Sequence, residues 1–412
     1  MVINRDYYLQ QLIERKHNGL IKIVTGLRRS GKSFLLFNLF HHHLVESGVD
    51  ENHIIEVSFD DFRKAELRDP YNLMNLIESR MTDESRYYII LDEVQMLDRF
   101  VEVMNSFMHI PNVDVYVTGS NSRFLSRDIA TEFRGRGTEI HLFPLSFAEM
   151  YAAVGGDKNA LWKRYYKYGG LPQLVDLEND KQREDYVLSL CETVYIKDII
   201  ERNKVRGESD FSELIQTISS CVGSPCNPLK LSNTFKSSKN VSIDDKTIAK
   251  YLSYMEDAFL VEKSERYDIK GKKYIGTLSK YYFQDIGLRN AFLDFRQVEE
   301  THIMENVIYN ELRSRGFRVD VGMVETRTSQ VRKQLEVDFV ANVADKRYYI
   351  QSAYAMPDDA KREQEAASLR RIDDSFRKII IMREDIAPYY DSYGILIVGL
   401  MDFLLDRTLL DR

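Results

Sequence analysis

The first part of the chain alternates between short apolar runs and segments whose apolar residues recur at helical spacing. A short apolar run between helical segments is typical of a strand in a parallel sheet, which is covered on both faces. Five such runs predict strands, and they occupy residues 21–25, 53–61, 87–93, 113–120 and 138–146. The pattern therefore predicts an α/β domain built on a parallel sheet.

The rest of the chain changes pattern twice. After a helical stretch, residues 206–290 contain two helical segments around a loop rich in Ser, Pro and Asn, and then two strand-like segments around a basic turn. Helix, turn, helix and hairpin is the order of a winged helix. The last part returns to alternating strands and helices. We predict four domains: an α/β core (1–155), a helical segment (156–205), a winged helix (206–295) and a C-terminal α/β domain (296–412).

A glycine loop follows the first predicted strand, in the order Gly26-x-x-x-x-Gly31-Lys32-Ser33. Glycines let the backbone turn tightly, so that several N–H groups and the next helix's N-terminus face a phosphate chain. In this pattern the lysine reaches the β- and γ-phosphates and the serine hydroxyl coordinates Mg²⁺. We predict a nucleoside-triphosphate site with Mg²⁺. The predicted nucleotide contacts are Gly26, Arg29, Ser30, Gly31, Lys32, Ser33 and Phe34.

Two acidic residues, Asp92 and Glu93, end the third predicted strand. A carboxylate at the tip of a buried strand can hold Mg²⁺, and a neighbouring carboxylate can polarise the water that attacks the phosphate. We therefore predict that Asp92 and Ser33 hold the metal and that Glu93 and Lys32 are catalytic. A strand end that merely exposes two acids is the alternative.

Two further catalytic groups are predicted near the fourth and fifth strands. Ser120 is our choice for a residue that senses the γ-phosphate, with Thr118 and Asn121 as alternatives, although an ordinary turn explains the same residues. Arg136 precedes the fifth strand, where it could stabilise phosphate charge on a neighbouring subunit, and Arg134 lies two residues away. Two solvated loop arginines are the alternative.

Together these residues resemble the AAA+ ATPases, and more specifically a bacterial and archaeal group with an N-terminal AAA domain and a C-terminal domain of unknown function. The resemblance covers nearly the whole chain. It is carried by the stretches IVTGLRRSGKSFLL, IILDEVQ, VTGSNSRFLS, GRGTEIHLFPLSFAEM, YYKYGGLPQLV, ENVIYNEL, EVDFVA and YYIQSAY. It implies ATP rather than GTP. It also implies that residues 156–205 form a helical lid in which Gly170 and Pro172 touch the nucleotide, where an ordinary helix–helix turn is the alternative.

The hairpin of the predicted winged helix is basic; we call residues 263–280 the basic wing. It contains two acids, Glu265 and Asp268, and six cations: Lys263, Arg266, Lys270, Lys272, Lys273 and Lys280. Such a wing beside a recognition-type helix suits a DNA backbone, so duplex DNA is a predicted partner. A winged helix that contacts protein, or a solvated hairpin, would explain the same charges.

The last domain resembles restriction-endonuclease-like nucleases, which place a Glu on a helix, an Asp on one strand and an acid-x-Lys on the next. Glu305 and Asp338 match the first two positions, whereas Gln351 and Ala353 stand where the second acid and the lysine are expected. A neutral amide is a weak ligand for a hard cation. We therefore expect a degenerate site, retained for packing or for holding DNA, and no nuclease activity.

Composition limits the class of protein. The 412 residues carry a net charge of −7, which argues against a protein that coats nucleic acid through its bulk charge. The three cysteines are odd in number and fit no zinc spacing, so we expect reduced thiols in a cytoplasmic protein. No apolar run reaches the ~18 residues of a membrane span, so we expect no membrane contact.

Two functions are compatible with this sequence. The first is a Mg²⁺-dependent AAA+ ATPase that couples its nucleotide state to a C-terminal DNA-associated module, with self-association if Arg136 acts on a neighbour. The second is an ATP-controlled switch or scaffold that binds a protein partner, whose identity the sequence does not give, without nucleic acid. The basic wing favours the first function, while the overall acidity and the degenerate C-terminal site are compatible with the second.

Overall fold

The computed structural model describes residues 1–119, 135–238, 243–328 and 331–411. The chain forms two compact units. The first unit is Met1–Pro144 with Asp257–Phe259, and the second unit is Leu145–Glu256 with Leu260–Arg412. In the described part of the chain, no helix is long and apolar enough to cross a bilayer.

The first unit is built on a parallel sheet of five strands. The strands are β1 (Ile21–Thr25), β2 (Ile54–Ser58), β3 (Tyr87–Asp92), β4 (Val113–Thr118) and β5 (Gly137–His141). They lie in the order β2-β3-β4-β1-β5, and every neighbouring pair is parallel. The predicted parallel α/β sheet is therefore confirmed. The two strands that pair with β1, which are β4 and β5, both come from much later in the chain.

Helices cover both faces of this sheet. They are α1 (Asp6–Glu14), α2 (32–46, with a π-helical segment at Leu35–Phe40), α3 (Pro70–Arg80) and α4 (Phe100–Phe107). Separate apolar clusters fill the two faces: one contains Ile23, Ile89 and Phe107, and the other contains Val24 and Ile90. Neighbouring residues of a strand point to opposite faces and therefore enter different clusters. For this reason β1 and β3 are buried along their whole length.

The second unit begins with helices. They are α5 (Phe147–Val154), α6 (Lys158–Tyr168), α7 (180–203, with a π-helical segment at Cys191–Ile196), α8 (Glu208–Ser220), α9 (Pro228–Ser238), α10 (Asp245–Asp257), α11 (Ile286–Ala291), α12 (Glu300–Ser314), α13 (Asp359–Ala366) and α14 (Leu400–Leu405). Local signals set several boundaries: Ser146 and Glu149 form a reciprocal capping box at the start of α5, and α6 ends at Gly169 with a φ of 85°.

An eight-stranded sheet completes the second unit. Its strands are β6 (Val261–Asp268), β7 (Lys273–Phe283), β8 (Arg318–Thr328), β9 (Val331–Val343), β10 (Lys346–Ala353), β11 (Arg377–Met382), β12 (Tyr389–Tyr390) and β13 (Leu396–Gly399), in the order β12-β13-β11-β10-β9-β8-β6-β7. The helices α8, α9 and α10 and the β6–β7 hairpin follow the predicted winged-helix order. However, β6 also pairs with β8, so the hairpin belongs to the same sheet as the C-terminal strands. The winged helix and the nuclease-like domain both stay predictions.

Helix α12 is fixed against this sheet by the Asn306 side chain, which pairs with a strand backbone as a neighbouring strand would. The amide of Asn306 accepts a hydrogen bond from the Phe283 N–H at 2.9 Å and donates one to the Phe283 carbonyl at 2.8 Å. Asn306 is fully buried, so neither bond competes with water. The consequence is a defined position for the neighbouring residue on α12, Glu305.

Candidate functional site

The glycine loop connects β1 to α2 with a tight backbone. Gly26 has a φ of 133° and Gly31 a φ of 98°, and Arg29 between them also has a positive φ, of 65°. A Cβ atom on Gly26 would lie 2.1 Å from the carbonyl oxygen of Leu142, which no side chain can tolerate. Both the conformation and the close approach therefore require glycine at position 26.

Lys32 lies inside this loop rather than in solvent. Its side chain is buried, and its Nζ donates to the carbonyl oxygens of Gly26 and Leu27 at 3.0 Å each. Burial lowers the pKa of Lys32 to about 8, and the nearby carboxylates of Glu93 and Asp92 oppose that shift. The Lys32 ammonium is thus held by the loop backbone, close enough to Asp92 and Glu93 for their charges to affect its pKa.

Asp92 ends β3 and is almost completely buried. Its carboxylate accepts hydrogen bonds from the hydroxyls of Thr118 and Ser33. A longer one comes from Ser58 at 3.4 Å. Burial raises the pKa of Asp92, and the bonds from Thr118 and Ser33 act in the opposite direction. The structure therefore brings together the two residues that the sequence predicts as metal holders, Asp92 and Ser33.

Glu93 follows in a left-handed conformation, with a φ of 53°. Its backbone N–H donates to the Thr118 hydroxyl oxygen at 3.0 Å, and its carboxylate accepts a hydrogen bond from the Gln95 side-chain amide. Thr118 thus bonds to both acidic residues at once. The sequence offers Thr118 as an alternative phosphate sensor; in the structure its buried hydroxyl bonds to Asp92 and to the Glu93 N–H, and the sensor role stays a prediction.

The loop residues have the properties that a phosphate chain needs. The Ser30 side chain is buried, and its hydroxyl has no hydrogen-bond partner within the described chain. Arg29, Ser33 and Phe34 are exposed around it at the mouth of the loop. An anion with several oxygens would suit this loop for three reasons. It could accept a hydrogen bond from the Ser30 hydroxyl, it could approach the backbone closely at Gly26, and it could replace the neutral carbonyl acceptors of the Lys32 ammonium.

Arg5 supports the loop from outside and was missed by the sequence analysis. It is buried, and its guanidinium donates to the Ser30 carbonyl at 3.1 Å and to the Phe143 carbonyl at 2.7 Å. The same guanidinium lies 4.8 Å from the ring centroid of Tyr8. Arg5 therefore ties the glycine loop to the segment that follows β5. No local sequence pattern indicates this, because the partners are 25 and 138 residues away.

Of the predicted arginine and sensor residues, the structure describes Arg136 and Thr118. Arg136 is exposed, and its guanidinium donates to the Asn105 side-chain oxygen at 3.2 Å. Ser120, Asn121 and Arg134 lie outside the described residues. The roles predicted for Ser120 and Arg136 therefore stay predictions.

Gly170 and Pro172 belong to the second unit. The Gly170 N–H donates to the Asp285 carboxylate at 2.8 Å, and its carbonyl accepts from the Leu145 N–H at 2.7 Å. Pro172 begins a short 3₁₀-helix, Pro172–Val175. Burial raises the pKa of Asp285 to about 6, against hydrogen bonds from backbone N–H groups that favour the ionised form. These contacts explain the local turn, and the predicted contact with nucleotide stays a prediction.

The basic wing carries fewer accessible cations than its sequence suggests. Three lysines at its tip are exposed: Lys270, Lys272 and Lys273. The turn is closed by the Gly271 N–H, which donates to the Asp268 carboxylate at 2.9 Å. Lys263 is exposed as well, but its ammonium lies 2.8 Å from the Glu265 carboxylate.

The other two cations of the wing are buried. Arg266 donates to the Met323 sulfur at 2.8 Å and to the Gln334 side-chain oxygen at 3.3 Å. Lys280 forms ion pairs with Glu305 and Glu336 inside the second unit. Two of the six cations that the sequence places in the basic wing are therefore buried in the interior and not available to a DNA backbone.

The predicted C-terminal acids lie close together. Glu305 on α12 and Asp338 on β9 both face Lys280, and Gln351 on β10 accepts only a long hydrogen bond, 3.5 Å, from the Asp338 N–H. Ala353 is buried in an apolar cluster. Within the described ranges, no group of three or more His, Cys, Asp or Glu side chains is arranged to hold a metal ion.

Comparison with known proteins identifies the families to which this chain is similar. An AAA domain matches residues 18–151, and a domain of unknown function (DUF8612) matches residues 159–299. An uncharacterised protein of Haemophilus influenzae is 33% identical over 413 residues, which is 98% of this chain and 99% of that protein. An uncharacterised protein of Methanocaldococcus jannaschii is 27% identical over 90% of this chain and 82% of its own length. The Walker-type ATPase of Pyrococcus abyssi is 14% identical, with a TM-score of 0.49, over 71% of this chain and 96% of that structure.

Proposed function

We propose a function for this chain from the premise that it belongs to the family of AAA-domain proteins represented by the Haemophilus influenzae protein. It binds ATP together with Mg²⁺ in the glycine loop and hydrolyses the terminal phosphate. The observation that carries the proposal is the convergence of Lys32, Ser33, Asp92 and Glu93 at the ends of β1 and β3. A lysine, a hydroxyl and two carboxylates at this edge are the groups that phosphoryl transfer to water requires.

Each residue has a role that its present contacts suggest. Lys32 exchanges two loop carbonyls for phosphate oxygens, which are stronger acceptors because they are charged. Ser33 and Asp92 hold Mg²⁺, and the metal supplies charge neutralisation at the phosphate oxygens. Glu93 accepts a proton from the attacking water as the new P–O bond forms and the bond to the β-phosphate oxygen breaks, giving ADP and inorganic phosphate.

Steady-state ATP hydrolysis tests this proposal. Lys32→Ala removes the cation from the phosphate site, so we expect ATP affinity to fall strongly. Glu93→Gln keeps the shape and removes the base, so ATP should still bind while turnover falls by about 10²- to 10⁴-fold. Exposed residues supply matched controls, Lys181→Ala and Glu102→Gln. Hydrolysis by Glu93→Gln at the wild-type rate would show that Glu93 does not activate the water.

We propose self-association of the chain only as a consequence of a role for Arg136 in the site of a neighbouring chain. If Arg136 completes the site of a neighbouring chain, inactive Lys32→Ala protein and inactive Arg136→Ala protein should regain activity when they are mixed, because some interfaces then pair an intact loop with an intact arginine. Normal turnover by a protein that remains monomeric with ATP at every concentration would rule this role out.

We further propose that the second unit associates with duplex DNA through the tip of the basic wing. Three exposed lysines in one turn provide the cations, and each phosphate contact lowers log K by about 0.9 per unit of log salt. The slope should therefore be about −2.7, and neutralising Lys270, Lys272 and Lys273 together should flatten it. A control with three exposed helix lysines neutralised (Lys163, Lys181 and Lys197) should keep the slope.

The alternative is an ATP-controlled switch that binds a protein partner. It is favoured by the net charge of −7 and by the burial of two of the six wing cations. Electrophoretic mobility of duplex DNA, with and without ATP, separates the two functions. No shift at low salt would favour the protein-binding switch and leave the ATPase assignment untouched.

A further inference from the structure

Four charged side chains meet inside the second unit. The Lys280 ammonium on β7 lies 2.8 Å from the Glu305 carboxylate on α12 and 2.8 Å from the Glu336 carboxylate on β9, and it lies 3.9 Å from the Asp338 carboxylate. The Lys280 side chain is only 3% exposed, and Glu305 and Asp338 are little more exposed. One cation therefore faces three carboxyl groups, of which Glu336 is partly exposed and the other two are largely removed from water. Burial, together with the neighbouring Glu305, raises the pKa of Asp338 to about 8.

Neutral donors hold two of these carboxylates in place. The Tyr282 hydroxyl donates to Glu305 at 2.7 Å, and the Ser352 N–H donates to Asp338 at 2.8 Å. The Tyr282 ring is stacked on Tyr309, with centroids 4.1 Å apart. These bonds orient the carboxylates toward Lys280, but they supply no positive charge.

A buried carboxylate is costly unless a cation compensates it. In the nuclease-like arrangement that the sequence suggests, a divalent metal ion would be that cation. A Mg²⁺ ion needs about six oxygen ligands at roughly 2.1 Å, several of them usually water. Here the centre between the acids is taken by an ammonium at ordinary ion-pair distance, and the third protein ligand expected, Gln351, is a neutral amide. The residues present do not fit a metal ion.

We propose that the Lys280 ammonium is the permanent cation of this centre and takes the place that a divalent metal ion has in a nuclease. The lysine comes from the strand that begins at the wing tip, not from the position of Ala353 where it is expected. The centre therefore holds the base of the basic wing to α12 and β9 through charge. It makes this centre independent of metal ions and unable to activate a hydrolytic water through a metal.

The burial of Lys280 is electrostatically consistent with this role. Burial alone would lower the pKa of Lys280, but Glu305, Asp338 and Glu336 raise it above its ordinary value. The lysine therefore stays charged. Its position also accounts for why the last cation of the basic wing is unavailable to DNA.

Thermal unfolding of the full-length, nucleotide-free protein tests the proposal, with EDTA or Mn²⁺ as the only variable. Any effect of Mn²⁺ on wild-type protein should be the same in Asp338→Asn, because the cluster has no room for the ion. Lys280→Met leaves three carboxylates without their cation, so its melting temperature in EDTA should fall by roughly 10 °C. Mn²⁺ should restore part of that loss, and the restoration should disappear in the double variant Lys280→Met with Asp338→Asn. Lys263→Met, an exposed lysine of the same hairpin, is the matched control and should melt like wild type.

Two results would overturn the proposal. One is a rise in wild-type melting temperature with Mn²⁺ that Asp338→Asn abolishes, which would mean that the acids form an open metal site. The other is a Lys280→Met protein that melts with wild type in EDTA, which would mean that the ammonium compensates nothing. If Lys280→Met does not fold, calorimetric titration of Mn²⁺ into wild type and Asp338→Asn decides the matter alone: equal heats support the proposal, and binding lost in Asp338→Asn refutes it.

Discussion

Replacing Thr118 by valine tests whether its hydroxyl holds Asp92 and Glu93, the two acids of the proposed site, in position. Valine keeps the branched shape of a fully buried side chain and removes its hydrogen-bonding group. The Asp92 carboxylate loses a donor, and the Glu93 N–H loses its acceptor at 3.0 Å. Both groups still belong to the end of β3, but each has lost one of the bonds that fix its position.

The size of the effect follows from those two lost bonds. A hydrogen bond to a charged group contributes about 1.5–3 kcal/mol, and an unsatisfied buried N–H costs about 1–3 kcal/mol. Asp92 keeps its bonds to Ser33 and Ser58, so the lower half of the combined range applies. We expect Thr118→Val to destabilise the protein by ~2–4 kcal/mol, which lowers its melting temperature by roughly 10 °C.

Activity should change in a manner that separates positioning from phosphate sensing. If Thr118 only positions Glu93, kcat should fall by roughly 10- to 100-fold while the KM for ATP changes little, and Thr118→Ser should restore both activity and stability. Thr234→Val on α9 is a matched control, since Thr234 is exposed and its hydroxyl donates to the Lys230 backbone carbonyl at 3.0 Å. Weaker ATP binding at an unchanged melting temperature would refute the positioning role and indicate direct contact with phosphate.

Three further substitutions test other parts of the structure. Arg5→Met should raise the KM for ATP several-fold with a smaller effect on kcat, because the glycine loop must then be ordered by the nucleotide itself; an unchanged KM in a steady-state assay would refute its supporting role. Gly26→Ala should abolish ATP binding in a calorimetric titration, because its Cβ would collide with Leu142. Gly19→Ala introduces the same strain of a positive φ but has open space around it and lies outside the loop, so it should bind ATP normally. Burial raises the pKa of Asp285 from 3.8 to about 6, so the folded state binds that proton more tightly than the unfolded state. Relative to Asp285→Asn, wild type should therefore gain ~1.4 kcal/mol in urea unfolding as the pH falls from about 7 to about 5, and a parallel pH dependence of the two proteins would contradict the shift.

The sequence predicts the features that local physics determines. Apolar runs of strand length, separated by segments of helical spacing, identify all five strands of the first unit, because a strand buried on both faces leaves few alternatives. The glycine loop is equally predictable, since a tight turn with positive φ at positions 26 and 31 favours glycine by local conformation alone. The adjacency of Asp92 to Ser33 follows once both loops are placed at the same edge of a parallel sheet.

Features that depend on distant partners were not accessible in the same way. No pattern in the sequence around Arg5 indicates its role, because Arg5 supports the loop through hydrogen bonds to the carbonyls of Ser30 and Phe143, which lie far away in the sequence. Thr118 reads as a turn residue or a sensor until the strand order shows that it lies beside Asp92, as β3 and β4 are neighbours. In both examples the chemistry of the residue is visible in the sequence, whereas its partner is a property of the tertiary fold.

The basic wing shows how the same limitation can mislead. Counting charge along residues 263–280 treats every cation as equally accessible, yet alternate residues of a strand point to opposite faces. Arg266 and Lys280 lie on the buried side, and only the turn between β6 and β7 extends its lysines into solvent. Lys280 is then more informative than a surface cation would be. A lysine that is buried against three acidic side chains reduces the negative charge of the interior by one unit, and it removes one possible contact from any DNA complex. The salt dependence of DNA binding and the metal independence of unfolding are therefore linked through this one residue. A slope nearer −2.7 than −5.4, the value for all six cations, would support contacts by the three tip lysines alone, with Lys263, Arg266 and Lys280 making none.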